Sequence, residues 1–223
     1  FPDPEPLLAG AAKGAIRAPV GTPLGGYLRP PVGGDYFPVA EAFEASAEEG
    51  FNTFVEEFAD FIPFQADNGE PLAPVPDELR AVHSPYATYS PPSRGYYDSL
   101  VAKSVAMYDG NDCVILVKTD FIGMLDEVVM AVAEAVESKA PGLVATTMPG
   151  CQLYDGLVMS ANHSHDGPGA VANHSTRYFW LAVDTYQPAV FEQLVGDLAE
   201  VIIGSIQNLK PARFGHASGR EGH

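Results

Sequence analysis

The sequence predicts an α/β fold: a mixed or parallel sheet flanked by helices, with a Pro-rich elaborated loop or lid over 31–94. Two apolar runs, 113-CVILVKT-119 and 157-LVMSA-161, have the length and composition of buried strands. Between them Leu125, Val128, Val129, Val132 and Val136 fall at i, i+3, i+4 spacing. Beyond them Phe191, Leu194, Val195, Leu198, Val201, Ile202 and Ile206 do the same. Strand, helix, strand, helix from 113 to 209 is a βαβα unit, which makes the sheet parallel or mixed there.

The remaining elements follow in chain order. Residues 7–29 read as a short strand and then a turn-rich loop, with Pro19 and Pro23 beside Gly21, Gly25 and Gly26. The segment 31–96 holds 9 of the chain's 20 Pro and so departs from the regular pattern around it. It contains one helical patch, Phe54, Val55, Phe58, Phe61 and Ile62, for which Thr53 and Glu56 form a capping box. That Phe stripe is either ordinary core or a surface for an apolar chain. Residues 99–108 form a further strand, joined to 113–119 through a turn at Gly110, Asn111 and Asp112.

Composition narrows the function classes. At 223 residues with 46% hydrophobic content, the chain is long and apolar enough to bury a sizeable core. A net charge of −17 repels nucleic acid phosphates and anionic membranes, so nucleic acid is not an expected partner. No run reaches the roughly 20 apolar residues of a bilayer-spanning helix. The chain opens on Phe1 without an initiator Met, which predicts removal of an upstream secretory signal and a secreted or periplasmic location. Cys113 and Cys151 are either buried thiols or one disulfide, and neither belongs to a CxxC pattern.

Chemistry concentrates at 158-VMSANHSHDGPGAV-171, where an apolar strand runs into a Gly-Pro-Gly turn. Alternate residues of a strand share a face roughly 6–7 Å apart, so an extended backbone would present His163 and His165 to one space. That space lies beyond the carboxyl end of a strand, where open α/β sheets gather their ligands. Neutral imidazole suits zinc, and H-x-H at a strand end is a recurrent half-site; the plain alternative is two loop histidines with ordinary hydrogen bonds. Asp120, at the matching end of the preceding strand, either orients a site histidine or supports a metal from its outer sphere, or else caps a helix beginning at 121. His174 is a further candidate for the site lining, and His83 reads as a surface residue.

The string A-N-H-S-H-D-G-P-G resembles the signature T-H-T-H-S-G-P-G of the neutral/alkaline, non-lysosomal ceramidase family. GAAKGAIRAPVGTPLGGY resembles that family's N-terminal strand and Pro-Val-Gly-x-Pro-x-x-Gly-Tyr turn. YYDSLVAKSVAMYDGNDCVILVKTD resembles the segment leading to its buried strand and following Asp, and 209-LKPARF-214 falls where the family has a Lys-Pro strand start. The likeness covers about 7–30 and 95–223.

The resemblance implies an amidohydrolase in which zinc-activated water cleaves ceramide, or a related N-acyl lipid, into an amine and a fatty acid. His163 would be a zinc ligand, His165 would contact the reacting amide or the oxyanion that develops on it, and Gly26 would shape the floor of the site. Asp166 replaces the Ser of the signature, as a substrate-side carboxylate beside His165 or as a turn residue. In the family a further His, a Glu and a Tyr complete the zinc site downstream of the matched region. The expectation is therefore that 1–223 is the N-terminal portion of such a catalytic domain, and that a second chain from the same precursor supplies the remaining ligands. An amidase or esterase for a non-lipid acyl substrate, and a secreted binding protein that keeps the fold without zinc, are the rival readings.

Overall fold

The computed structural model describes residues 7–26, 84, 86, 92–93, 95–172, 184, 186–215 and 219. The Phe-rich helix over 53–62, most of the Pro-rich region, His83 and His174 lie outside the described residues. The described chain builds one mixed five-stranded sheet in the order β4-β3-β2-β1-β5. Its strands are β1 (Leu8–Ile16), β2 (Leu100–Tyr108), β3 (Cys113–Thr119), β4 (Leu157–Ala161) and β5 (Lys210–Pro211). The α/β expectation holds. Antiparallel pairing joins β1 to β2, β2 to β3 and β1 to β5, whereas β3 and β4 are parallel.

Two long helices cover one face of this sheet. Helix α1 (Asp126–Lys139) and two short helices, α2 (Leu143–Thr147) and α3 (Leu153–Gly156), form the crossover from β3 to β4. Helix α4 (Pro188–Gln207) follows, with Pro188 in the first turn, where its missing N–H costs nothing. The predicted stripes are the buried ones: Val128, Val132 and Val136 on α1, and Leu194, Leu198, Val201, Ile202 and Ile206 on α4. Acidic Asp126 and Glu127 in the first turn of α1 and Lys139 in its last complement the helix dipole.

Small residues let α4 lie close to the sheet. A β-carbon on Gly10 would collide with the carbonyl oxygen of Ser205, and one on Gly14 would collide with the Val201 side chain. Both glycines therefore act as size limits on the face that β1 turns to α4. Ser104 of β2 and Ser205 of α4 satisfy each other across this dry contact at 2.8 Å. At the end of β1, Arg17 holds the buried Asp197 of α4 through its backbone N–H at 2.7 Å and its guanidinium at 2.6 Å. The hydrogen bond to Asp197 raises the Arg17 pKa above its ordinary value, a charge-assisted contact that keeps this carboxylate partnered in the core.

Cys113 and Cys151 form a disulfide, which resolves the alternative left open by their spacing. It ties the start of β3 to the segment that leads into α3 and β4, so the two parallel strands share a covalent anchor at their amino ends.

Candidate active site

At their carboxyl ends β3 and β4 continue to hold each other after the regular ladder stops. The N–H of Asn162 donates to the Thr119 carbonyl at 3.1 Å, and that of Ser164 donates to the Phe121 carbonyl at 3.0 Å. The intervening His163 is not extended. Its φ is 63°, in the left-handed region that a β-carbon disfavours. The extended arrangement expected of H-x-H is thereby corrected: the strand ends at Ala161 and the two histidines sit on a turn. The turn brings the rings closer than a pleat would, with centroids 5.1 Å apart and the planes nearly perpendicular.

Asn162 supports this conformation. Its side-chain oxygen accepts from the Ser164 N–H at 3.2 Å, an Asx-type turn that spans His163, and its Nδ2 donates to Asp120 at 2.6 Å. Asp120 accepts a second bond from the Val101 N–H at 2.8 Å. Among the described residues Asp120 thus binds no histidine and caps no helix, since α1 begins later, at Asp126, after an N-cap residue, Leu125, that offers no side-chain cap. It is the clamp that fixes the dyad turn to β2. The Asx-turn potential of an Asn just before His163 is the sequence signal that would have found this role.

The tautomer of His163 follows from its partner. Its Nδ1 lies 2.8 Å from the carbonyl oxygen of Ile122, which can only accept, so Nδ1 carries a proton and, in the neutral ring, Nε2 is the nitrogen with the lone pair. The His165 Nε2 lies 3.4 Å from that Nε2. Two imidazoles so placed can share a hydrogen bond or present both nitrogens to one cation. Tetrahedral zinc ligands with bonds of about 2.0–2.1 Å stand about 3.3–3.4 Å apart, so the spacing suits either use. Among the described residues no three His, Cys, Asp or Glu side chains gather as a cation site. The dyad fits zinc as half of a ligand set.

Gly26 stands against the same histidine. The N-terminal loop is stitched to the Gly-Pro-Gly turn, with the Gly25 N–H donating to the Gly167 carbonyl at 2.9 Å and the Gly169 N–H to the Pro23 carbonyl at 2.6 Å. This leaves Gly26, at φ 82°, so close to His165 that a β-carbon there would lie 2.5 Å from Nδ1. Gly167 is equally constrained, since its β-carbon would lie 2.5 Å from the Asp120 carbonyl oxygen. Gly26, His163 and His165 are thus brought together.

Asp166 is exposed on the other side of the turn, where its N–H donates to Ser164 Oγ at 3.3 Å. It borders a cavity of about 630 Å³ lined by Thr22, Leu24, Tyr96, Asp120, Ser164 and Asp166 among others. Burial pushes the Tyr96 phenol above its ordinary range, and charge on Asp197 adds to this, so it stays a hydrogen-bond donor at neutral pH. Neither imidazole is among the lining residues, although Ser164 lies between them.

No helix among the described residues is long and apolar enough to cross a membrane. No family model matches the chain, and no curated protein matches it. The fold is similar to the crystal structure of neutral ceramidase from Pseudomonas aeruginosa, with a TM-score of 0.53 and 15% identity over 94% of this chain and 23% of that one. A structure of ceramidase complexed with C2 matches with a TM-score of 0.49 and 15% identity, over 93% of this chain and 22% of the other. The chain spans less than a quarter of the length of these ceramidase chains. What it shares with the Pseudomonas aeruginosa enzyme is the fold: this is a ceramidase-like α/β chain.

Proposed function

We propose that this chain carries part of the active site of a zinc-dependent hydrolase that cleaves the amide bond of an N-acyl compound, ceramide or a related lipid. The observation that carries the reading is the convergence of the two Nε2 atoms at 3.4 Å, with His163 fixed in the ligand-ready tautomer by Ile122. Its position at the carboxyl end of a parallel strand pair, in a ceramidase-like fold, supports the same conclusion.

In this reading His163 holds zinc through Nε2, and the Ile122 carbonyl is the outer partner that orients it. Bound zinc supplies Lewis acidity and brings the pKa of a coordinated water towards neutrality. His165 contacts the amide oxygen and stabilises the negative charge that develops on it, or returns a proton to the departing amine. Gly26 keeps the floor open for that oxygen, and Asp166 faces the substrate from the side of the cavity. The remaining ligands come from outside the described residues. The disulfide supports a secreted or periplasmic setting.

The 3.4 Å spacing favours one alternative, that His165 is a second zinc ligand rather than a substrate contact. Metal analysis of the natural preparation, followed by assay on a panel of lipid and non-lipid N-acyl substrates with and without a chelator, tests the proposal. Stoichiometric zinc and chelator-sensitive amide hydrolysis are expected. Absence of zinc under metal-replete conditions would sink it in favour of a non-catalytic binding protein, and activity confined to short acyl groups would move the substrate away from lipids.

A further inference from the structure

The cavity beside the dyad turn has walls that are already built. Pro23 bridges to Pro92 and Leu24 to Pro168. The Gly21 N–H donates to the Ser93 carbonyl at 3.0 Å, and the Ser93 N–H to the Thr22 carbonyl at 2.8 Å. Three separate segments are thus fixed around about 630 Å³, a volume within the range of small-molecule sites. The lining combines apolar Leu24 and Leu100 with Tyr96 and Tyr97 and with three carboxylates, Asp98, Asp120 and Asp166. Among the described residues no Lys, Arg or His lines it. The carboxylates differ in what they already hold. Both oxygens of Asp120 accept, from Asn162 Nδ2 and the Val101 N–H, and Asp98 accepts from the Ser99 N–H at 2.7 Å. The Asp166 carboxylate has no hydrogen-bond or ion-pair partner among the described residues.

We infer that this cavity is a binding site for a small organic cation, an alkylammonium whose charge meets the Asp166 carboxylate and whose carbon skeleton lies beside Tyr96. Charge selects the class. An anion would enter a space lined by three carboxylates in a chain of net charge −17, whereas a cation is drawn in by the same field. A bare metal ion does not suit the site, because among the described residues no three such side chains converge on one point. Carboxylates spread around a wall match a ligand of several atoms, and phenol rings attract ammonium groups as well as hydrocarbon. Because the walls are tied together beforehand, little ordering remains for the ligand to impose. The site adjoins the dyad through Ser164, yet the inference depends on neither zinc nor amide hydrolysis.

Titration of the purified protein with benzylammonium, followed through backbone amide NMR shifts, tests this, with neutral benzyl alcohol as the control of like shape. Saturable binding of benzylammonium is expected, with shifts centred on Tyr96, Ser164 and Asp166, and binding of the alcohol weaker by about tenfold or more. D166N should raise the benzylammonium Kd by about 5–10-fold. D155N, which neutralises an exposed carboxylate at the opposite end of β4, should leave it unchanged. Should D166N fail to fold, Tyr96→Leu carries the same test, with a loss of about 2–5-fold. Equal affinity for the two probes, or no saturable binding of either, would overturn the inference. So would equal losses in D166N and D155N, which mark diffuse attraction to an acidic chain. An affinity that rises about tenfold in R94A would assign the cavity to this chain's own guanidinium, next to Ser93 in sequence, and would overturn it as well.

Discussion

Gly26 is held against His165 so tightly that a single added methyl group would lie 2.5 Å from the Nδ1 of that ring. A loop more than a hundred residues upstream thus decides where the second imidazole of the dyad can stand. Gly26→Ala should displace the ring and, at φ 82°, strain the loop as well. The expected outcome is a fall in kcat/KM of about 10–100-fold with zinc content unchanged, read from steady-state hydrolysis and metal analysis.

The two histidines should separate cleanly. His163→Ala is expected to lose zinc and all activity. His165→Ala should keep zinc while kcat falls by about 10²–10³-fold, the usual cost of removing an oxyanion contact. Loss of metal from both variants would assign His165 as a ligand, the use that the 3.4 Å separation also permits.

Asn162 never reaches the reacting groups in this scheme, yet it sets the turn on which they sit. Removing its bonds to Asp120 and to the Ser164 N–H leaves His163 in a left-handed conformation without local support. Asn162→Ala should weaken zinc affinity by about 10–100-fold, the range seen for outer-shell changes, measured by competition with a chromogenic chelator. Asn162→Asp keeps an acceptor for Ser164 but sets a carboxylate against Asp120, so rescue should be partial at best.

Reduction of the Cys113–Cys151 bridge frees a loop with a sequence separation of 38 residues. Chain entropy then predicts a loss of about 3–4 kcal/mol, measurable as a lower denaturant midpoint with and without reductant. Cys151→Ser should reproduce the reduced curve.

Gly10→Ala tests the close seating of α4. The added carbon meets backbone, including the Asn208 carbonyl carbon at 2.6 Å and the Leu209 nitrogen at 2.7 Å, which cannot swing aside as a side chain would. A destabilisation of about 1–3 kcal/mol is expected from equilibrium unfolding.

The helices and the β3–β4 pair were legible because their information is local. Val128, Val132 and Val136 mark a buried stripe by spacing alone, and CVILVKT has few other uses than a core strand. The site was legible only as a set of residue types. H-x-H spacing cannot distinguish a pleat from a turn, and the deciding interaction, Asn162 with Asp120, joins residues that follow the ends of two different strands. Asp120 was misread for the same reason, since its partner Val101 belongs to a neighbouring strand. Family likeness assigned Gly26 to the floor of the site but not to His165, as nothing in a Gly-Gly dipeptide says which ring it will meet. The disulfide stayed open because sequence separation does not fix the distance between two α-carbons.

The placement of β1 has a consequence for biogenesis. This strand precedes its partners in the chain, since its neighbours in the sheet are β2, beginning at Leu100, and β5, at Lys210–Pro211, while its inner surface rests on α4. Its pairing and packing therefore stay incomplete until the segment through Lys210–Pro211 has been made. Nascent chains halted before residue 188 should remain open to proteases and dependent on holding chaperones, and release should be followed by abrupt, late acquisition of resistance.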